Sequence, residues 1–76
     1  MNNSRRKRLR SAKDMLIRAS EIISFAVDEE QDALDNIPES LQYGERYEKI
    51  YDSCSALEYA QDGIEEVIEK LNDAML

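Results

Sequence analysis

Apolar residues recur at alternating steps of three and four along most of this chain, and that rhythm leaves room for little besides long helices. Leu9, Ala12, Leu16, Ala19, Ile23, Ala26, Glu30, Ala33 and Ile37 form a first run in which only Glu30 is not apolar. Tyr43, Tyr47, Ile50, Cys54, Leu57, Gln61, Ile64, Ile68, Leu71 and Met75 form a second, interrupted only by Gln61. Steps of three and four place successive residues on one face of a helix, and their alternation is the seam of a heptad repeat. Strand alternation fits neither run. In the first run every seventh residue from Ala12 to Ala33 is alanine, so a neighbouring helix can approach closely along that line.

Between the runs lies Asp35-Asn36-Ile37-Pro38-Glu39-Ser40. Proline disfavours helical geometry in the residue before it, lacks an amide hydrogen, and suits a first helical turn. Asn36 can end the first helix or cap the next element, and Ser40 can cap the restart. The expected elements are therefore a helix over about residues 4–36, a turn over about 37–40 and a second helix over about 39–74, with Gly44 making its first turn irregular. A link this short makes the helices antiparallel neighbours. The fold predicted is all-α, a single-domain antiparallel two-helix hairpin, with residue i of the first helix beside about 77 − i of the second.

The charge is distributed unevenly along that hairpin. Residues 1–18 carry Arg5, Arg6, Lys7, Arg8, Arg10, Lys13 and Arg18 against Asp14 alone, a local charge of +6. Residues 19–76 carry three basic and sixteen acidic side chains, −13, for a net charge of −7. In the expected register Arg8 faces Glu69, Arg10 and Lys13 face Glu66 and Glu65, and Arg18 faces Glu58 or Asp62. A basic helix N-terminus and an acidic helix C-terminus each oppose their own macrodipole, and side by side each offsets the other. The basic run thus has two readings: pairing within the chain, or an anionic partner held by Arg5, Arg6, Arg8 and Arg10.

A 76-residue chain buries a modest share of its surface and commonly needs a staple. Cys54 is the only cysteine and there is no histidine, which excludes an intrachain disulfide and disfavours a zinc site. Association with a second copy is the staple left. Further apolar residues outside the seam, among them Met15, Ile22, Phe25, Tyr51, Tyr59 and Val67, widen the faces and predict a homodimeric four-helix bundle. No apolar run approaches the roughly 18 to 20 residues of a membrane span, and none follows the basic stretch as a secretory signal requires. A cytoplasmic protein without membrane contact is expected.

No nucleophile–base pair, glycine-rich phosphate loop or metal cluster is present in the pattern, so neither enzymatic activity nor a cofactor or metal is expected. The acidic stretch Asp28-Glu29-Glu30-Gln31-Asp32 with Asp35 reads as a solvated face, since bundle metal sites pair glutamate with histidine and calcium loops need a glycine. Glu30, in the seam, needs a polar partner; the register offers Tyr47 or Arg46, and a ligand-binding role is the other reading. Tyr43, Tyr47 and Tyr51 form an i, i+4, i+8 ridge suited either to packing or to an interface. Cys54 reads as a small buried hydrophobe.

The stretch Asp28-Glu29-Glu30-Gln31-Asp32-Ala33-Leu34-Asp35-Asn36-Ile37-Pro38-Glu39-Ser40-Leu41-Gln42, followed by Gly44-Glu45-Arg46-Tyr47-Glu48, resembles short helical proteins encoded by phages and prophages of Gram-positive hosts. That group shares a basic N-terminus, a D-N-L-P-E-x-L-Q turn, an E-R-x-E continuation and an acidic second helix; Ile37 stands where leucine is commoner. The resemblance covers nearly the whole chain. It implies a phage accessory protein acting in the bacterial cytoplasm and carries over no catalytic or binding residue. The turn residues Asn36, Pro38, Glu39, Gln42, Glu45 and Arg46 either fix the bend or, with Tyr47, form a docking edge.

Three functions compete as expectations. The first is a non-enzymatic interaction module that modulates or inhibits a host or anti-phage defence protein. The second is a binder of a nucleotide signal using Arg5–Arg10, Arg46 and the tyrosines. The third, nucleic-acid binding by the basic end, is disfavoured by the acidic remainder and the absence of a helix-turn-helix.

Overall fold

The computed structural model describes residues 1–76 and consists of two long helices, α1 (Asn3–Asp35) and α2 (Glu45–Ala74), joined by a connection that holds one 3-10 turn at Glu39–Leu41. The two helices pack along their lengths as an extended hairpin. The rod measures 59 × 15 × 14 Å. Its radius of gyration of 17.3 Å far exceeds the roughly 11 Å of a compact domain of this length.

Local chemistry explains the ends of each element. Asn2 caps α1: its side-chain Oδ1 accepts a hydrogen bond of 2.8 Å from the Arg5 backbone N–H, satisfying one of the free amides of a helix start. At the other end the Asn36 N–H donates to the Asp32 carbonyl at 3.0 Å, and Ile37 donates to Leu34 at 3.2 Å before Pro38 stops the helix. Pro38 is extended, with φ −57° and ψ 145°. The Leu41 N–H then donates to the Pro38 carbonyl at 2.8 Å, closing the 3-10 turn. Gly44 is extended as well (φ −87°, ψ 167°) and starts α2 without a side-chain cap.

The helix boundaries for α1 and the end of α2 lie where the spacing puts them. The start of α2 does not. Residues 39–41 form a separate 3-10 turn and α2 begins at Glu45, so the connection runs from 36 to 44 instead of 37 to 40. Extended backbone at both Pro38 and Gly44 prevents a continuous helix from 39 onward.

Nearly every seam residue is removed at least partly from solvent, but full burial is confined to Leu34 (8% exposed), Ile37 (8%) and Cys54 (5%). Tyr43 is the exception. It sits in the connection rather than in α2 and is 97% exposed. The core is therefore concentrated where the end of α1, the turn and α2 meet.

The longer connection also changes the register. The carboxylates of Glu30 and Asp35 both act through space on the Cys54 thiol, which places Cys54 beside the 30–35 stretch of α1 and not beside Ile23. A 33-residue helix is about 50 Å long, so a 59 Å rod also requires the turn end to project past α1. Cys54 thus pairs about one heptad further along α1 than a four-residue turn would place it. The seam still matches, because a shift of seven returns every apolar position to an equivalent one.

Gly63 lies inside α2 with open space where a Cβ would stand. Glycine in a helix interior costs about 0.5–1 kcal/mol relative to alanine. Gly63→Ala is accordingly expected to stabilise the hairpin by about that amount, seen as a higher denaturation midpoint by circular dichroism with an unchanged m-value.

Candidate functional site

The basic run lies on the first three turns of α1. Arg5, Arg8 and Arg10 are exposed and Arg6 is half-buried. The intrachain pairing expected for this run is not made. The chain's two side-chain hydrogen bonds are Asn2 with the Arg5 backbone and Gln31 Nε2 donating to Asp35 Oδ1 at 3.1 Å. No Lys or Arg nitrogen comes within the 4.0 Å of an ion pair with a carboxylate oxygen. Arg8, Arg10, Glu66 and Glu69 are all exposed, so nothing in the packing holds their charges together.

Glu30 is half-buried in the seam, as its position predicts. It makes no hydrogen bond or ion pair with its expected partners, Tyr47 and Arg46, and its carboxylate acts on the Cys54 thiol instead. Burial raises the pKa of the Cys54 thiol, and the carboxylates of Glu30, Glu58 and Asp35 raise it further. The thiol is thus held protonated, the opposite of what a nucleophile or metal ligand needs. A raised folded-state pKa means the unfolded chain loses this proton first, so stability is constant below the ordinary thiol pKa and declines as pH rises through it. Native Cys54 is expected to react with a maleimide or disulfide probe at least tenfold more slowly than in guanidinium at neutral pH. Equal rates would show that the helix pair opens freely at this point.

The tyrosines divide between two environments. Tyr47 is half-buried, and its ring stacks on Tyr51 with centroids 6.3 Å apart and planes at 25°. Tyr51 is 52% exposed. Together with Tyr43 they wall a shallow groove completed by Gln42, Glu48 and Asp52. A second notch lies under the turn, formed by Ala33, Asn36, Ile37, Pro38, Leu41, Gly44, Glu45 and Arg46. Arg46 is exposed at its edge. Of the turn residues, Asn36, Pro38, Gln42, Glu45 and Arg46 border these two concave surfaces, and Glu39 does not. Leu41, 61% exposed, joins Tyr43 at the tip and was not singled out by spacing, because it falls outside both seams.

Asp28, Glu29, Asp32 and Asp35 point into solvent, and no three His, Cys, Asp or Glu side chains gather in a way that could hold a metal ion. No helix is long and apolar enough to cross a membrane. The concave surfaces are open grooves bordered by aromatic, amide and carboxylate groups, suited to docking a protein edge. Comparison with protein families, with characterised proteins and with solved structures finds no match to this chain.

Proposed function

We propose that this chain is a non-enzymatic, self-associating interaction module that binds and modulates a host or anti-phage defence protein in the bacterial cytoplasm, using the tyrosine-edged turn end. The observation that supports the reading is the exposure of Tyr43, Leu41 and Tyr51 at one end of the rod, beside a groove. Exposed tyrosines supply large amphipathic contact area, as binding surfaces do, and Leu41 adds apolar area beside them. The phage setting rests on the resemblance of the turn motif and the basic N-terminus.

The test is capture from lysate of a Gram-positive host with the intact chain as bait, alongside Leu41→Ala/Tyr43→Ala. A protein retained by the wild type and lost by the double variant supports the reading. Recovery of nothing above background from either bait sinks it. The exposed, unpaired cations Arg5 and Arg8 favour a second reading, an anionic ligand such as a nucleotide signal. A thermal-shift screen with cyclic and ADP-ribose-type nucleotides, giving a shift that Arg5→Ala/Arg6→Ala abolishes, would support that one.

A further inference from the structure

One side of α1 carries a stripe that the hairpin leaves uncovered. Arg8, Ser11, Met15, Arg18, Ile22, Phe25, Glu29 and Asp32 follow one another at steps of three and four, and every one is exposed. Met15, Ile22 and Phe25 are 68%, 68% and 69% exposed, a high value for three large apolar side chains on one helix face. The stripe is graded: a cation leads it, apolar residues fill its middle, and Glu29 and Asp32 close it.

Such a gradient is complementary to itself when reversed. Turning the stripe about a point near residue 20 superposes Arg8 on Asp32, Ser11 on Glu29, Met15 on Phe25 and Arg18 on Ile22. Opposite charges meet at both ends, apolar groups meet between them, and the Arg18 stem lies over Ile22. A two-fold axis asks for this self-complementarity, since an isologous interface uses the same patch twice.

The surface area points the same way. A folded monomer of 8.8 kDa exposes about 4,800 Å² by the usual scaling, whereas this chain exposes 6046 Å². The excess of roughly 1,250 Å² comes from the open rod shape, and it leaves room for a second copy to cover the approximately 800 Å² that each partner buries in a standard interface.

We propose that this stripe is where two copies of the chain meet, α1 packing antiparallel on α1 of a second copy about a two-fold axis near residue 20. The proposal rests on the self-association in the proposed function and deepens it by naming the face. It leaves the Tyr43–Tyr51 groove for another protein.

Sedimentation velocity on the intact chain tests it, with circular dichroism as a control for helix content. The wild type should sediment with the mass of two chains, and Ile22→Asp/Phe25→Asp with the mass of one. Arg8→Asp and Asp32→Arg should each weaken dimerisation tenfold or more, and their combination should recover most of the loss by restoring the pair with reversed signs. These charge variants decide the matter even if the apolar double variant loses its helices, because Arg8 and Asp32 are exposed and outside the seam. A wild type that stays a single chain at several hundred micromolar overturns both the interface and the self-association. A dimer indifferent to all four substitutions overturns the interface alone, and one whose charge swap shows no recovery overturns the antiparallel pairing.

Discussion

Leu34→Ala is expected to lower stability by about 2–3 kcal/mol, enough to unfold a large fraction of the chain at 37 °C. Leu34 is one of only three residues fully withdrawn from water, with Ile37 and Cys54, and all three lie near the turn. Removing its isopropyl group deletes a large part of that cluster, and the half-buried seam along the rest of the rod has little with which to compensate. The check is a pair of thermal or guanidinium melts followed by circular dichroism. Met15→Ala, on an exposed position of the same helix, should change the isolated hairpin by only a few tenths of a kcal/mol. Comparable losses at the two positions would mean that the cohesion of the hairpin is spread evenly along its length.

The second large effect concerns register. Glu30→Cys is expected to form an intrachain disulfide with native Cys54 on mild oxidation, and Ile23→Cys is not. Seven residues of helix separate the two positions, about 10 Å along the axis, and a disulfide needs Cβ atoms within about 4.5 Å. Closing a loop between positions 30 and 54 should also stabilise the oxidised form by about 3 kcal/mol in the chain-entropy account. Non-reducing electrophoresis with mass spectrometry, at a concentration too low for interchain exchange, reads the outcome. If Ile23→Cys cross-links instead, the helices pair as a four-residue turn would have them and the one-heptad shift is wrong.

Burial and register differ in how far residue spacing reveals them. The seam was legible residue by residue: Leu9 through Ile37 and Tyr47 through Met75 are the positions turned from water, with Glu30 and Gln61 half-buried among them. Asn36 as the end of the first helix and Pro38 as its stop were legible too, because each acts through its own backbone chemistry. Cys54 as a buried thiol came from its place in the repeat. The partners of charged residues were not legible. Arg8 with Glu69, and Glu30 with Tyr47 or Arg46, depended on a register that the connection alone decides, and the structure makes neither pairing.

The regular three-four spacing on which this chain is built thus determined two long helices and their shared face, and the short link between them determined their antiparallel course. It could not determine how far one helix slides along the other, because a heptad seam matches itself after every seven residues. Tertiary structure decided that by lengthening the connection to residues 36–44, where the extended backbones at Pro38 and Gly44 enclose a separate 3-10 turn. That slide, which sets Cys54 beside the 30–35 stretch of α1, is what residue spacing alone leaves open.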